Sequence, residues 1–259
     1  MAELRTNPFK QAIREGRPQI GLWSQLMHPL VADILKEAGF DWIVLDMEHG
    51  QNEIQDVLVQ QMAMTGGTAE PVVRPPWNDM VYLKRILDTG AQTVLIPMID
   101  DAEQAARAVS YCQYPPQGLR GVASGMRANR FGRIKGYHPL ANEQICVLVQ
   151  VESRKALENI DAIAAVAGVD GVFIGPTDLS TGLGHLADPN HPEVQAAIRH
   201  AVERCKAAGK PAGILTADNA AAERYLDWGY TFVAVGGDTG ILANGADALA
   251  GKFLKLIGR

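Results

Sequence analysis

Features that mark several large classes of protein are missing from this 259-residue chain. No apolar run approaches the roughly 18 residues that a membrane-spanning helix needs. Basic residues are not in excess, since 24 Lys and Arg are outnumbered by 29 Asp and Glu. This composition does not favour a basic face that binds nucleic acid or an anionic membrane, and we expect neither as a partner. Residues 1–17 are polar and charged, unlike a signal peptide with its apolar centre.

Cysteine is scarce as well. Cys112, Cys146 and Cys205 are the only three, and they are widely spaced and odd in number. This pattern does not match a disulfide framework or a thiolate metal site. It indicates buried thiols in a reducing compartment, and we predict that the protein is cytoplasmic.

What the chain does contain is an alternation of eight short apolar runs with eight helix-like stretches. The runs lack a two-residue period, as expected for strands that are buried on both faces. A parallel strand followed by a covering helix, repeated eight times, closes into a (β/α)8 or TIM barrel of roughly 250 residues. We predict this α/β fold as a single domain over residues 1–259. The predicted strands are Gln19–Ser24, Asp41–Asp46, Pro71–Arg74, Thr93–Met98, Cys146–Glu152, Gly171–Gly175, Ala212–Thr216 and Phe232–Val235.

The predicted helices end at glycines, which suit the left-handed turn that follows a helix. Val31–Gly39 and Val81–Gly90 are two examples. The amphipathic tail Ile241–Ile257 is compatible with a packed terminal helix.

One predicted connection, Gln113–Gln144, is too long for an ordinary barrel loop. Loops beyond about 12–15 residues are usually functional or disordered. The segment either holds a short helix and lies over the barrel mouth or against a neighbouring subunit, or it is a solvated basic loop. Its basic cluster consists of Arg120, Arg127, Arg130 and Arg133.

Two carboxylates follow consecutive predicted strands. Glu152 ends the fifth strand and Asp178 follows the sixth, and the carboxyl ends of barrel strands converge on one mouth, where active sites lie. Two carboxylates, completed by water and substrate oxygens, commonly bind Mg²⁺ or Mn²⁺. Each has a structural alternative, since Asp178 could cap a helix and Glu152 could be a surface charge. Their joint position favours a divalent metal site.

His49 lies in the segment DMEHG, just after the second strand. A histidine titrates near neutral pH and can act as a general acid and base, and Asp46 and Glu48 are near enough in sequence to orient it. A histidine that caps the following helix is the alternative. Asp88 ends a predicted helix, where the residues alone indicate a surface carboxylate.

Arg74 ends the third strand. An arginine that faces the mouth suits a substrate carboxylate or a developing oxyanion, because its planar guanidinium donates paired hydrogen bonds. A structural salt bridge to a neighbouring strand is the alternative. Trp23, on the first strand, either forms a wall of the pocket or packs in the core.

No lysine lies inside a predicted strand, where a Schiff-base amine would be desolvated and activated. If the barrel cleaves carbon–carbon bonds beside a carbonyl group, we therefore expect it to use a metal rather than a lysine imine. The nine lysines, all in helical or loop segments, are Lys10, Lys36, Lys84, Lys135, Lys155, Lys206, Lys210, Lys252 and Lys255.

Along nearly its whole length the chain resembles the HpcH/HpaI family of metal-dependent class II pyruvate aldolases. The matching segments are GRPQIGLW (Gly16–Trp23), FDWIVLDMEHG (Phe40–Gly50), PVVRP (Pro71–Pro75), LDTGAQTVLIPM (Leu87–Met98), YPPQGLRGV (Tyr114–Val122), VLVQVES (Val147–Ser153), GVDGVFIGPTDLS (Gly168–Ser180), HPEVQAAI (His191–Ile198) and FVAVGGDT (Phe232–Thr239). The resemblance implies reversible cleavage of 4-hydroxy-2-oxo acids to pyruvate, or a related 2-oxo acid, and an aldehyde, with Mg²⁺, Mn²⁺ or Co²⁺ as cofactor. It also implies a TIM barrel whose C-terminal helix is exchanged between subunits of a homohexamer, a trimer of dimers.

The resemblance also assigns roles to the matching positions. It implies that Glu152 and Asp178 bind the metal, that His49 is the acid–base residue and that Arg74 stabilises charge on the carbonyl oxygen. It makes Asp88 the carboxylate that raises the basicity of His49, which overrules the surface interpretation. The predicted substrate-binding residues are Trp23, Gln150, Thr177 (through its backbone) and Asp178.

Some positions near the mouth depart from the family pattern and leave the aldehyde open. They are Ser24–His28, Met47, Gly50 and Thr177. Two other functions remain as alternatives. An acyl-CoA lyase similar to the citrate lyase β subunits would need a CoA site, which only the basic connection offers. A non-catalytic metal-binding barrel would leave the polar residues of the mouth unexplained.

Overall fold

Eight parallel strands form a closed barrel in a computed structural model that describes residues 3–259. The strands are β1 (Gln19–Ser24), β2 (Trp42–Asp46), β3 (Glu70–Arg74), β4 (Thr93–Ile96), β5 (Cys146–Val151), β6 (Gly171–Ile174), β7 (Ala212–Leu215) and β8 (Phe232–Gly237). They pair in chain order, and β8 pairs with β1 to close the barrel. The predicted TIM barrel is confirmed, and the ends of the eight strands differ from the prediction by at most two residues.

Helices cover the outside of the barrel and close its amino-terminal end. They are α1 (Pro8–Arg14), α2 (Pro29–Leu35), α3 (Ile54–Ala63), α4 (Met80–Asp88), α5 (Ala102–Cys112), α6 (Tyr137–Gln144), α7 (Arg154–Glu158), α8 (Ile160–Ala164), α9 (Pro176–Gly182), α10 (Pro192–Ala207), α11 (Asn219–Trp228) and α12 (Asp238–Leu256). The predicted glycine endings are confirmed, as at Gly90 with a φ of +101° and Gly229 with a φ of +94°. No lysine lies in a strand of the described chain.

Aromatic side chains fill the barrel interior. Trp42 and Phe232 contact each other, with ring centroids 5.9 Å apart, and Phe9 of α1 lies 5.7 Å from each of them. The rings fit because β1 and β7 carry glycines facing them, and a Cβ on Gly21 would lie 2.2 Å from the Trp42 ring. The interior is therefore packed, and chemistry is confined to the mouth at the carboxyl ends of the strands.

The long connection lies at the amino-terminal end of the barrel, so the idea that it covers the mouth is wrong within this chain. Arg127 donates to the carbonyl of Thr89, which follows α4, and Gln144 bonds to Asn7 ahead of α1. The predicted short helix is confirmed as α6. The connection has a small core of its own, formed by Tyr114, Met126, Ile134, Tyr137 and Ala141.

The terminal helix α12 is scarcely packed on its own barrel. Asp238 at its start is its only buried residue. Its large exposed apolar side chains are Ile241, Leu242, Leu249, Phe253, Leu254 and Leu256. Among the described residues, no helix combines the length and the apolar character needed to cross a bilayer.

Candidate active site

Asp46, at the carboxyl end of β2, is the centre of a hydrogen-bond network at the mouth. Its fully buried carboxylate accepts hydrogen bonds from both Nε (2.9 Å) and Nη2 (2.7 Å) of Arg74, which lies at the end of the adjacent strand. It also accepts Trp23 Nε1 at 3.2 Å and Gln25 Nε2 at 3.0 Å. Burial alone would raise the pKa of Asp46, but the hydrogen bonds and charge of Arg74 hold that pKa below its usual value. Asp46 is therefore an anion that fixes the Arg74 guanidinium.

Arg74 forms the structural salt bridges that were one of its two predicted roles. Its Nη1 lies 2.6 Å from Glu48 Oε2, and its guanidinium carbon lies 5.0 Å from the centroid of the Trp23 ring. The residue is thus held by two carboxylates and an aromatic face, with 6% of its surface exposed. Salt bridges hold Arg74 in place at the mouth, so a structural role and a substrate-facing role are compatible. Trp23 is likewise both a core residue and a support for the network.

Glu152 follows β5 and is almost fully buried. Its Oε1 accepts the Met98 backbone N–H at 2.7 Å, and its Oε2 accepts Gln150 Nε2 at 2.8 Å. Met98 has a φ of +54°, an uncommon conformation for a residue with a side chain, and such residues cluster at functional sites. Burial is the main reason that the pKa of Glu152 rises to about 7, with further contributions from the charges of Glu48 and Asp178.

Three further predicted residues at this end of the barrel, Thr177, Asp178 and His49, are exposed. Thr177 and Asp178 occupy the first turn of α9, directly after β6, where backbone N–H groups have no partner within the helix. His49 is exposed, and only its backbone N–H bonds to Asp46, at 3.4 Å. Asp46 therefore orients Arg74 and not the His49 ring, contrary to the role that its sequence position suggested.

Asp88 is not brought to the mouth. It ends α4, at the amino-terminal end of the barrel, and accepts Nη2 of Arg120 at 2.8 Å. Arg120 is buried beneath the Tyr114 ring, with its guanidinium carbon 4.4 Å from the ring centroid. Within one chain Asp88 and His49 lie at opposite ends of the barrel, so the implied contact between them requires a second subunit.

With this geometry in place, the comparison with known proteins identifies the relatives of the chain. The sequence profile of the HpcH/HpaI aldolase/citrate lyase family matches residues 19–245. The chain belongs to this family. It is 53% identical over 248 residues to the 4-hydroxy-2-oxo-heptane-1,7-dioate aldolase of Salmonella typhimurium, a match that covers 95% of this chain and 94% of that protein.

Solved structures of the HpcH/HpaI family agree with this assignment. A family protein from Burkholderia cenocepacia J2315 is 40% identical and superposes with a TM-score of 0.93, over 96% of this chain and 99% of that one. An HpcH/HpaI aldolase from Desulfitobacterium hafniense DCB-2 is 29% identical, with a TM-score of 0.90, over 96% of this chain and 97% of that one. The resemblance is confirmed, and the chain is an enzyme, a carbon–carbon lyase of the aldolase type that acts on small molecules.

Membership of this family of class II aldolases implies that the protein uses a divalent metal. The arrangement of charged side chains at the mouth fits such an ion. The carboxylates of Asp46, Glu48, Glu152 and Asp178 lie at the mouth, and Arg74 pairs with the first two. Glu152 and Asp178 have no ion-pair partner among the described residues. Burial also raises the pKa of Glu48. The negative charges of Asp46 and Asp178 add to this rise, and the positive charge of Arg74 opposes it. A dication at Glu152 and Asp178 would offset this excess of negative charge.

Two residues that support the site were not predicted. The carboxylate of Asp238, at the start of α12, accepts Ser24 Oγ at 2.9 Å and the backbone N–H groups of Gln25 (3.0 Å) and Leu26 (3.1 Å). This contact fixes the loop after β1, from which the Gln25 amide reaches Asp46. Asp238 directly follows a strand, which is a usable signal, whereas Gln25 stands out only as a departure from the family pattern.

A second cluster of possible metal ligands lies outside the mouth network. His185, His191 and Glu193 are the only three His, Cys, Asp or Glu residues of the described chain whose ligand atoms all lie within 4.8 Å of one another. Nε2 of His185 is 2.8 Å from the Glu193 carboxylate, and the two imidazoles stack 3.5 Å apart. The near-parallel rings would have to rotate before both nitrogens could face one ion.

Proposed function

We propose that the protein cleaves 4-hydroxy-2-oxo acids reversibly to pyruvate, or a related 2-oxo acid, and an aldehyde. A divalent cation, Mg²⁺, Mn²⁺ or Co²⁺, would be held by Glu152 and Asp178. The observation that carries the proposal is the mouth itself, where two uncompensated carboxylates lie beside a guanidinium fixed by Asp46. The name of the Salmonella relative supports a 4-hydroxy-2-oxo acid as substrate.

The surrounding residues suit the 2-oxo acid end of such a substrate. The cation, when bound, supplies a Lewis acid for the oxo and carboxylate oxygens. Arg74 stabilises the negative charge that develops on the oxo oxygen, because its orientation is set before substrate binds. The Thr177 N–H donates to the substrate carboxylate. Gln150 uses its amide nitrogen for Glu152, and its buried Oε1 has no partner among the described residues, which leaves it free to accept from substrate or water.

His49 takes the proton of the C4 hydroxyl in cleavage and returns it in condensation. Its exposed ring has no hydrogen-bond partner in the described chain, so it is free to reach the aldehyde part of the substrate. For Asp88 to raise the basicity of His49, as the resemblance implies, a neighbouring subunit must place its own Asp88 at this mouth.

We expect His49→Ala to lower kcat for pyruvate release about 10²-fold, the lower end of general acid–base effects, because water reaches the exposed site and partly replaces the imidazole. The assay couples pyruvate formation to a reporter enzyme, at saturating Mn²⁺. His200→Ala, in α10, is the control and should retain wild-type turnover. Wild-type turnover in His49→Ala would remove His49 from the mechanism, and full activity after removal of metal would refute the metal role.

The affinity for the metal should depend on pH near neutrality. Since the pKa of Glu152 is raised to about 7 in the metal-free protein, a proton occupies the ligand below this pH and must leave when the cation binds. We expect the affinity for Mn²⁺ to fall about tenfold per pH unit below 7 and to level off above about 8. Calorimetric titrations between pH 5.5 and 8.5 measure this slope. A flat profile would contradict it.

We propose that α12 packs on a second copy of the chain, in a homohexamer built as a trimer of dimers. Its exposed apolar residues include Leu249 and Phe253, and an apolar surface of this extent usually marks a protein–protein contact. On the barrel itself, Leu30 and Ile34 of α2 are exposed apolar residues that a partner helix could cover.

We expect Phe253→Asp to reduce the mass in solution from the hexamer to a smaller species, because a buried charge at a subunit contact is costly. Light scattering after size exclusion measures the mass. Lys252→Asp, the adjacent exchange on the same helix, is the matched control and should retain the assembly. An unchanged mass for Phe253→Asp would exclude α12 from the interface.

Two further parts of the proposal concern context. We propose one catalytic domain over residues 1–259 acting in the cytoplasm, where the buried, unpaired cysteines would remain reduced.

The acyl-CoA alternative loses support, because the basic residues Arg127, Arg130 and Arg133 line the opposite end of the barrel from Glu152. Comparing CoA-ester cleavage with 4-hydroxy-2-oxo acid cleavage in one preparation distinguishes the two functions.

A further inference from the structure

A cavity of about 590 Å³ lies at the amino-terminal end of the barrel, opposite the mouth. Its lining includes Pro71 at the start of β3 and Gln92 just before β4, which fixes its position. Four arginines also line it: Arg5, Arg127, Arg130 and Arg133. The volume is within the range of small-molecule sites.

The positive charge of this cavity is largely uncompensated. Arg5 is paired, since its Nη2 lies 2.7 Å from both carboxylate oxygens of the buried Glu70. Arg127, Arg130 and Arg133 have no carboxylate within ion-pair distance among the described residues. Among the described residues, the exposed Glu3 is the only acidic residue that lines the cavity. Three guanidinium groups thus face the cavity without a counter-ion from the barrel.

Arg127 is the most constrained of the three. Its Nη1 donates to the carbonyl of Thr89 at 2.6 Å, which anchors one end of the guanidinium and leaves its other N–H groups available. Burial, and to a lesser degree the charge of Arg5, lowers the pKa of Arg127. A cation held beside another cation in a part-buried place is stabilised by an anion that neutralises both.

The backbone presents the other two arginines to the same cavity through an unusual turn. Arg130 and Phe131 have φ angles of +51° and +58°, a left-handed conformation that is costly for residues with side chains. The turn is held by the buried Asn129, whose Oδ1 accepts the Gly132 N–H at 2.8 Å and whose Nδ2 donates to the Ser124 carbonyl at 2.9 Å. Such a fixed turn pre-positions the charged groups around the cavity.

We propose that this cavity binds a small anion carrying carboxylate or phosphate groups, at a site separate from the active site of the same chain. Guanidinium groups donate paired hydrogen bonds to either group, so they specify the anionic chemistry that both share. The exposed Phe131 ring adds an apolar wall for the body of the ligand. Because the cavity is at the other end of the barrel, its occupant does not contact Glu152 of the same chain.

Isothermal titration of the full-length protein at low ionic strength tests the proposal, with inorganic phosphate and succinate as the two probes. Binding of either probe supports it, and the tighter one identifies the ligand group. We expect Arg127→Gln and Arg130→Gln each to weaken binding of that probe about tenfold or more, as the loss of a charge-assisted hydrogen bond does. Two variants are used because the contact of Arg127 with Thr89 also supports the fold, whereas Arg130 has no such contact.

Arg107→Gln is the matched control, since this arginine is exposed on α5 and pairs only with Glu103. It should bind the probe with wild-type affinity and retain wild-type pyruvate release. Absence of saturable binding of both probes to the wild-type protein would overturn the proposal. So would unchanged affinity in both cavity variants. Because the readout is binding, its outcome does not depend on the proposed aldolase substrate.

Discussion

Glu152→Gln is expected to lower kcat/KM for 4-hydroxy-2-oxo acid cleavage by about three orders of magnitude or more. The amide is nearly isosteric but is a poor ligand for a hard cation, and Lewis-acid stabilisation amounts to several kcal/mol, at about 1.4 kcal/mol per tenfold. The oxygen of the substituted amide could still accept the Met98 N–H, and its nitrogen could donate to the unpartnered Gln150 oxygen once the Gln150 amide turns over. We therefore expect a folded protein with weak Mn²⁺ binding.

The measurements for this variant are kcat/KM at several Mn²⁺ concentrations and the Mn²⁺ dissociation constant from calorimetry. Glu143→Gln, on the exposed side of α6, is the control and should match the wild type in both. The pH dependence of Mn²⁺ affinity near 7 should also disappear in Glu152→Gln, since the titrating group is gone. Wild-type Mn²⁺ affinity in this variant would exclude Glu152 as a ligand.

The sequence contains enough information to predict the barrel because its strands are buried on both faces. Runs such as Val147–Val151 have no polar alternation, and the turns after the helices need glycines such as Gly90 and Gly229, whose φ angles are positive. These are local signals, which can be recognised in the sequence without knowledge of the tertiary structure. The termini of the strands shift by one or two residues because hydrogen bonding, and not composition, sets them.

The pairing of side chains at the mouth is harder to predict. The positions of Asp46 and Arg74 at the ends of their strands can be predicted from the sequence. Their contact cannot, because it depends on the β2–β3 register, in which they are direct partners. Gln25 reaches Asp46 only because Asp238, more than 200 residues later, fixes the loop after β1. No local pattern encodes such a contact.

Composition also does not show at which end of the barrel a side chain lies. The basic cluster of the long connection was compatible with a lid over the mouth, yet Arg127 bonds to Thr89 at the opposite end. Asp88 shows the same limit, since α4 runs antiparallel to its strands and so ends far from His49. Its implied role stays a prediction that depends on a second subunit, which one chain does not contain.

Arg74→Met is expected to impair both activity and folding, by two separable routes. The methionine keeps an apolar stem against Trp23 but removes the guanidinium, and loss of a preorganised donor at a developing oxyanion lowers kcat about 10²–10³-fold. Asp46 is then left buried without its counter-ion, which we expect to lower the free energy of unfolding by about 3 kcal/mol at pH 7.

The double variant Asp46→Asn/Arg74→Met separates these routes. The neutral amide no longer carries an uncompensated charge, so most of the lost stability should return while kcat stays low. In the single variant the pKa of Asp46 should rise above its unfolded value, so its stability deficit should shrink as the pH falls from 7 towards 4, when the carboxyl group is protonated. Urea unfolding at both pH values and pyruvate release at pH 7 provide the data. If the double variant recovered activity along with stability, Arg74 would serve only to neutralise Asp46, and the oxyanion role would be wrong.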